Sequence, residues 1–163
     1  MDGLFCGKRL DNGKWVCGYY VHQHGAHEIY LPGVDDDGFD RYHVDPETVR
    51  PFTGLYDCTK WEELTTEEQA MFLYPLDGWQ RSKDEWKGRP IFRGDIVKHY
   101  TRYHYNDPKR YDIGEIYWNK SECEFLRTGQ KCRRGFSIGD DCVYKIIGNI
   151  YDNKLEEFTN ENN

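Results

Sequence analysis

His22 and His24 stand two residues apart with His27 close behind, a spacing at which imidazoles on one face of a strand could present nitrogen ligands to a metal. The acidic run Asp35, Asp36, Asp37 could add a carboxylate from across a loop. Against a metal centre, no second ligand pair stands at a fixed spacing, and Asp35-Asp36-Asp37-Gly38 lacks the spaced oxygens and distal Glu of a calcium loop. A polar histidine loop followed by a solvated acidic turn is the expectation, and neither metal nor other cofactor is assigned. The six cysteines, Cys6, Cys17, Cys58, Cys123, Cys132 and Cys142, include no Cys-x-x-Cys pair and are expected to be reduced and inert. The chain also lacks a Gly-x-Ser-x-Gly elbow, a P-loop, a dinucleotide fingerprint and a His-Glu-x-x-His pair, so no catalytic residue is assigned and a non-enzyme is expected. A metal-dependent enzyme is the second alternative, resting only on clustering of His or Cys.

Binding chemistry is better represented. Between Lys98 and Arg134 stand 9 basic and 5 acidic residues, interleaved with Tyr100, Tyr103, Tyr105, Tyr111, Tyr117 and Trp118. Rings with cations stack bases and contact phosphates, and they equally form the anchors of a protein-binding patch. The densest group, Arg102, Tyr103, Tyr105, Lys109 and Arg110, is the predicted binding set. A formal net charge of −7 argues against general binding to a phosphate backbone, so an unidentified protein partner is favoured and single-stranded nucleic acid is the alternative. The charge is uneven: residues 1–88 carry 17 acidic and 9 basic side chains, residues 89–163 carry 12 and 13.

These residues must be held by strands. Aromatic residues reach 16% of the 163 positions, which suits a folded chain whose apolar area is carried by rings on pleated surfaces, and the class is mainly β. Leu4 to Leu10 and Trp15 to Val21 flank Asn12-Gly13, which predicts a hairpin with a two-residue type I′ turn. Short strands are expected over Glu28 to Leu31 and Arg41 to Val44, then an irregular extended run over Thr48 to Leu55. Thr65-x-x-Glu68 is a capping box that opens a short helix ended by Pro75, with Met71, Phe72 and Leu73 available to cover a sheet edge. Beyond Gly88, five β-rich runs, Ile91 to Tyr100, Ile113 to Trp118, Glu122 to Arg127, Phe136 to Ile138 and Val143 to Tyr151, suit a small closed barrel with 101–111 as its long first loop. The predicted divisions are a hairpin unit over 1–57, an inserted helix and connector over 58–88, and a barrel over 89–158. No apolar run approaches a membrane span and the N-terminus lacks a signal-like segment, which places the protein in the cytoplasm by expectation. Exposed strand edges make homo-oligomers an open expectation.

Four segments together resemble the YopX family of phage and prophage proteins. They are Gly7 to Val16, Val44-Asp45-Pro46-Glu47-Thr48-Val49 with Phe52-Thr53-Gly54-Leu55, Gly94-Asp95-Ile96-Val97, and Ile147-Gly148-Asn149-Ile150-Tyr151. The resemblance implies a mostly β protein encoded on mobile elements, with an SH3-like barrel in its C-terminal part and no established reaction. Pro51 departs from the family pattern, and residues 58–85 look like an insertion into a shorter connector. The combined expectation is a prophage-type accessory protein acting as a non-enzymatic binding or assembly module.

Overall fold

On the second strand of the hairpin, Val16, Gly18 and Tyr20 alternate with Trp15, Cys17 and Tyr19, and it is Val16 and Gly18 that are buried while Cys17 and Tyr19 are exposed. That alternation sets the register of the whole first unit. The computed structural model describes residues 4–32, 39–73, 80–101, 111–120, 124–129, 132–137, 142–154 and 157–158. They form eleven strands in two antiparallel sheets and one α-helix, so the protein is mainly β. The chain divides into two units, 1–52 with 59–88, and 53–58 with 89–163.

In the first unit, β1 (Leu4–Lys8), β2 (Trp15–Gln23), β3 (Ala26–Pro32), β4 (Phe39–His43) and the start of β5 (Arg50–Tyr56) lie in the order β4-β3-β2-β1-β5. Val16, Ile29 and Val44 form the core, with Tyr20, Leu31, Tyr42 and Val49 packed around them. Gly18 is required at its position, because a Cβ there would run into the Tyr30 carbonyl oxygen and the Leu31 side chain.

The first hairpin forms as expected, but its turn differs. Arg9 N–H donates to Lys14 O and Gly13 N–H to Arg9 O, leaving a four-residue loop in which Gly13 has φ +69° and Asn12 is not left-handed. Asn12 accepts from Lys14 N–H through its side chain (2.9 Å), and Arg9 pairs with Asp11. These local bonds favour the wider loop over a two-residue turn. The two-residue type I′ geometry occurs instead at His24-Gly25, with φ of 52° and 79° between the paired residues Gln23 and Ala26.

Cysteine chemistry is corrected as well. Cys6 and Cys17 are directly opposed on β1 and β2 and are joined by a disulfide rather than reduced. Absence of a Cys-x-x-Cys motif says nothing about thiols that strand pairing brings face to face. Cys58 is not part of a disulfide.

The segment after Cys58 carries α1 (Thr66–Leu73), opened by the predicted box: Glu68 N–H donates to Thr65 Oγ1 (3.2 Å), and Thr65 N–H donates to Glu68 Oε2 (2.8 Å). Phe72 joins Trp61 and Trp86 in a trio of edge-to-face rings with centroids 5.1 to 6.1 Å apart. Trp86 Nε1–H also donates to Thr59 O (2.8 Å), so these rings form the local core that holds the segment. Met71 does not cover a sheet edge; it is exposed. Pro75 lies outside the described residues.

The second unit begins with the later part of β5, beside β6 (Pro90–Phe92), where Thr53 Oγ1–H donates to Ile91 O (2.8 Å). Then β7 (Asp95–Thr101), β8 (Asp112–Asn119), β9 (Glu124–Gly129), β10 (Cys132–Ser137) and β11 (Cys142–Asn149) form a sheet of order β10-β9-β8-β7-β11. Among the described residues no β10–β11 pairing closes it. Ile91, Val97, Ile116 and Tyr144 form the core, with Leu55, Phe125 and Ile146 against them. The β6–β7 turn holds the unit together: Gly94 has φ +84°, its N–H donates to Ile116 O, and its carbonyl accepts from Ile150 N–H. Asp95, buried, accepts from Phe92 N–H (2.8 Å), and Asp57, also buried, accepts from Arg89 N–H (2.9 Å) and Ile146 N–H (3.2 Å). No helix among the described residues is long and apolar enough to cross a membrane.

Candidate binding site

In the second unit, strand register places His99 opposite Asp112 on β8 and opposite Tyr144 on β11. Because Val97, Ile116, Ile146 and Phe125 share that face, one side of the sheet runs from an apolar core to a polar end. Arg127 reaches into the polar end from β9. Its guanidinium donates to Asp112 Oδ2 (3.0 Å) and to Thr128 O (2.8 Å), and the residue is 3% exposed. His99 packs against the Tyr144 ring, with centroids 5.4 Å apart, and its Nε2 is buried with no hydrogen-bond partner among the described residues.

This surrounding fixes the protonation state of His99. Loss of solvent and the nearby Arg127 charge push its pKa down to about 4, against a smaller upward pull from Asp112. The imidazole is therefore neutral at physiological pH, beside the Arg127–Asp112 ion pair. Such a group offers one hydrogen-bond donor and one acceptor but no cationic charge. On the opposite face of the same sheet end, Lys98 Nζ lies 4.5 Å from the centre of the Tyr111 ring, and the Tyr100 and Tyr111 centroids are 5.8 Å apart. Further along β8, burial raises the Glu115 carboxyl above its usual pKa, only partly offset by Arg93.

The predicted binding residues Arg102, Tyr103, Tyr105, Lys109 and Arg110 lie outside the described residues, in the segment between β7 and β8. That segment leaves and returns at the sheet end that carries His99, Tyr100, Tyr111 and Asp112. His99, Asp112 and Arg127 belong to no motif or cluster in the sequence. Period-two alternation places His99 on the face of Val97, but nothing in the spacing of Asp112 and Arg127 shows that they meet.

The first unit brings other chemistry-bearing residues together. His22 and His27 are paired across β2 and β3 and stack at 4.1 Å with planes 9° apart, while Tyr20 Oη bonds His27 Nδ1 (2.5 Å). In-plane lone pairs of parallel rings do not converge on one point, and His24 sits in the turn rather than beside them. Among the described residues, no group of three or more His, Cys, Asp or Glu could hold a metal ion. Asp35, Asp36 and Asp37 lie outside the described residues.

On the opposite face of β3, Glu28 is buried beneath its neighbours. Tyr30 O–H donates to its Oε2 (3.0 Å), and His43 Nε2 and Arg41 approach Oε1 at 3.5 and 3.9 Å.

Compared with protein families, curated proteins and solved structures, the chain matches none. Its function is therefore argued from its own residues.

Proposed function

We propose that this chain is a prophage-type accessory protein of the YopX kind, whose second unit is an SH3-like barrel that works as a non-enzymatic binding module. Support for the barrel comes from strand order. In β10-β9-β8-β7-β11 the last strand returns to pair with the first of a four-strand meander, and the Gly94 turn bonds to Ile150 at the end of β11. Two of the four segments that carry the resemblance, Gly94 to Val97 and Ile147 to Tyr151, pair in this sheet.

The observation that carries the binding function is the ring-and-cation group at the root of residues 102–110. Lys98 over Tyr111, with Tyr100 beside it, continues into a segment that adds Arg102, Tyr103, Tyr105, Lys109 and Arg110. Large amphipathic rings and Arg are the residue types that anchor protein interfaces at low entropic cost. The test is affinity capture of the host or phage partner by the parent and by a variant with Arg102, Tyr103 and Tyr105 changed to Ala. The variant is expected to lose a partner that the parent retains at moderate salt. Retention of every partner would remove this segment as the binding face.

A further inference from the structure

We infer that the β1–β4 sheet face carrying Tyr19, Tyr30 and Arg41 binds single-stranded nucleic acid, at a site distinct from residues 102–110. Register defines the face. Arg41, Tyr30, Tyr19 and Leu4 form one cross-strand row, flanked on one side by His43, Glu28 and Val21 and on the other by Cys17, Cys6 and Arg50. Trp15 and Lys8 follow, with Lys8 Nζ 5.5 Å and the Arg50 guanidinium carbon 4.3 Å from the Trp15 ring centre.

Charge on this face departs from that of the segment containing it. Residues 1–88 are strongly acidic, yet among the described residues Glu28 is the only carboxylate that the register places here, set against Lys8, Arg41 and the buried Arg50. Glu28 is also withdrawn from solvent, its oxygens engaged by Tyr30 and approached by His43 and Arg41. It therefore anchors groups that themselves reach water: the Arg41 and His43 side chains are 64% and 60% exposed. Tyr19, in the middle of the row, is 56% exposed, so its ring is open to a stacking partner.

An open antiparallel sheet face presenting rings beside tethered cations matches a strand of stacked bases linked by phosphates. An acidic peptide would use the cations and leave the rings idle. Double-stranded nucleic acid would hide the base faces that the rings need. The acidic remainder of the chain repels phosphates at long range, so binding is modest and sharply salt-dependent.

The experiment is fluorescence anisotropy of labelled oligo-dT and oligo-rU with the full chain at about 50 and about 200 mM salt. Tyr19→Ala is expected to weaken binding roughly 5- to 150-fold, the equivalent of about 1–3 kcal/mol for one stacked base, while Tyr19→Phe keeps it. Arg41→Gln is expected to reduce the slope of log affinity against log salt by about 0.7, one phosphate contact fewer on a single strand. Circular dichroism establishes that each variant is folded, and both Tyr19 and Arg41 are exposed enough to be replaced without disturbing the core. The inference is overturned by absence of binding at the lower salt, by equal binding of poly-glutamate, or by a folded Tyr19→Ala variant that binds like the parent.

Discussion

Replacing His99 by Phe removes an ionisable ring while keeping an aromatic partner for Tyr144, and so isolates what burial of that imidazole does to stability. The folded-state pKa is about 4 and the ordinary value is 6.5, a gap of 2.5 units. Above pH 6.5 both folded and unfolded chains carry neutral His99, and the group favours neither. As pH falls from 6.5 towards 4, the unfolded chain takes up a proton that the folded chain refuses, so stability present at neutral pH is lost across that window. At 1.36 kcal/mol per unit the full gap is worth about 3.4 kcal/mol. His99 is only half-buried and screened by solvent, which brings the expectation to roughly 1.5–2 kcal/mol. Asp112, Arg127 and Tyr144 stand beside the ring, Arg127 holding its pKa down and Asp112 pulling it up. The assay is urea denaturation followed by tryptophan fluorescence at about pH 7.5, 6.5, 5.5 and 4.5, for wild type and His99→Phe in parallel. Other groups titrate equally in both proteins, so the informative quantity is the difference between them at each pH. That difference is expected to move in favour of the variant by roughly 1.5–2 kcal/mol between the two ends of the range. A difference that stays constant with pH would refute the assignment of a buried neutral imidazole.

Other expectations concern the same unit. Asp57→Ala leaves the Arg89 and Ile146 amides without their carboxylate acceptor and is expected to cost at least about 2 kcal/mol in denaturant unfolding, with Asp57→Asn losing less. Gly94→Ala combines φ +84° with a Cβ placed 2.9 Å from the Tyr151 ring, and a fall in melting temperature corresponding to about 1–3 kcal/mol is expected. Glu115 has a raised pKa, so its contribution is most favourable in acid and is lost as pH rises through the folded value; Glu115→Gln is expected to raise the melting temperature at pH near 8 and to leave it nearly unchanged in acid.

The readable parts of this chain were those written in local chemistry. The Thr65–Glu68 box, the hairpin after Lys8, the Gly94-Asp95 turn and the runs that became β7, β8 and β11 each depend on residues within one turn or one strand. The turn at Asn12-Gly13 was misjudged because side-chain bonds from Asn12 and Asp11 stabilise a wider loop, and His24-Gly25 took the tight turn although His-Gly is a weaker signal than Asn-Gly. The candidate site was legible only as a region. Asp112 and Arg127 lie fifteen residues apart, and Cys6 and Cys17 eleven; what joins each pair is register, set by packing of the other strand faces. Charge on the β1–β4 face was hidden for the same reason, because a net count over residues 1–88 adds together side chains that strand alternation sends to opposite surfaces.

Residues 53–58 give the chain a particular history during synthesis. They belong to the second unit, yet 59–88 belong to the first, so the peptide is committed to one unit, leaves it, and returns for good only at Arg89. Leu55 and Asp57 are therefore made well before Arg89, Ile91 and Ile146, the residues that pack on them or bond to them. On a ribosome the hairpin sheet can mature while that short piece waits unpaired. No single cut in the gene releases the second unit by itself: a fragment starting at Thr53 brings 59–88 of the first unit with it, and one starting at Arg89 arrives without Leu55 and Asp57, so the amides of Arg89 and Ile146 lose their carboxylate.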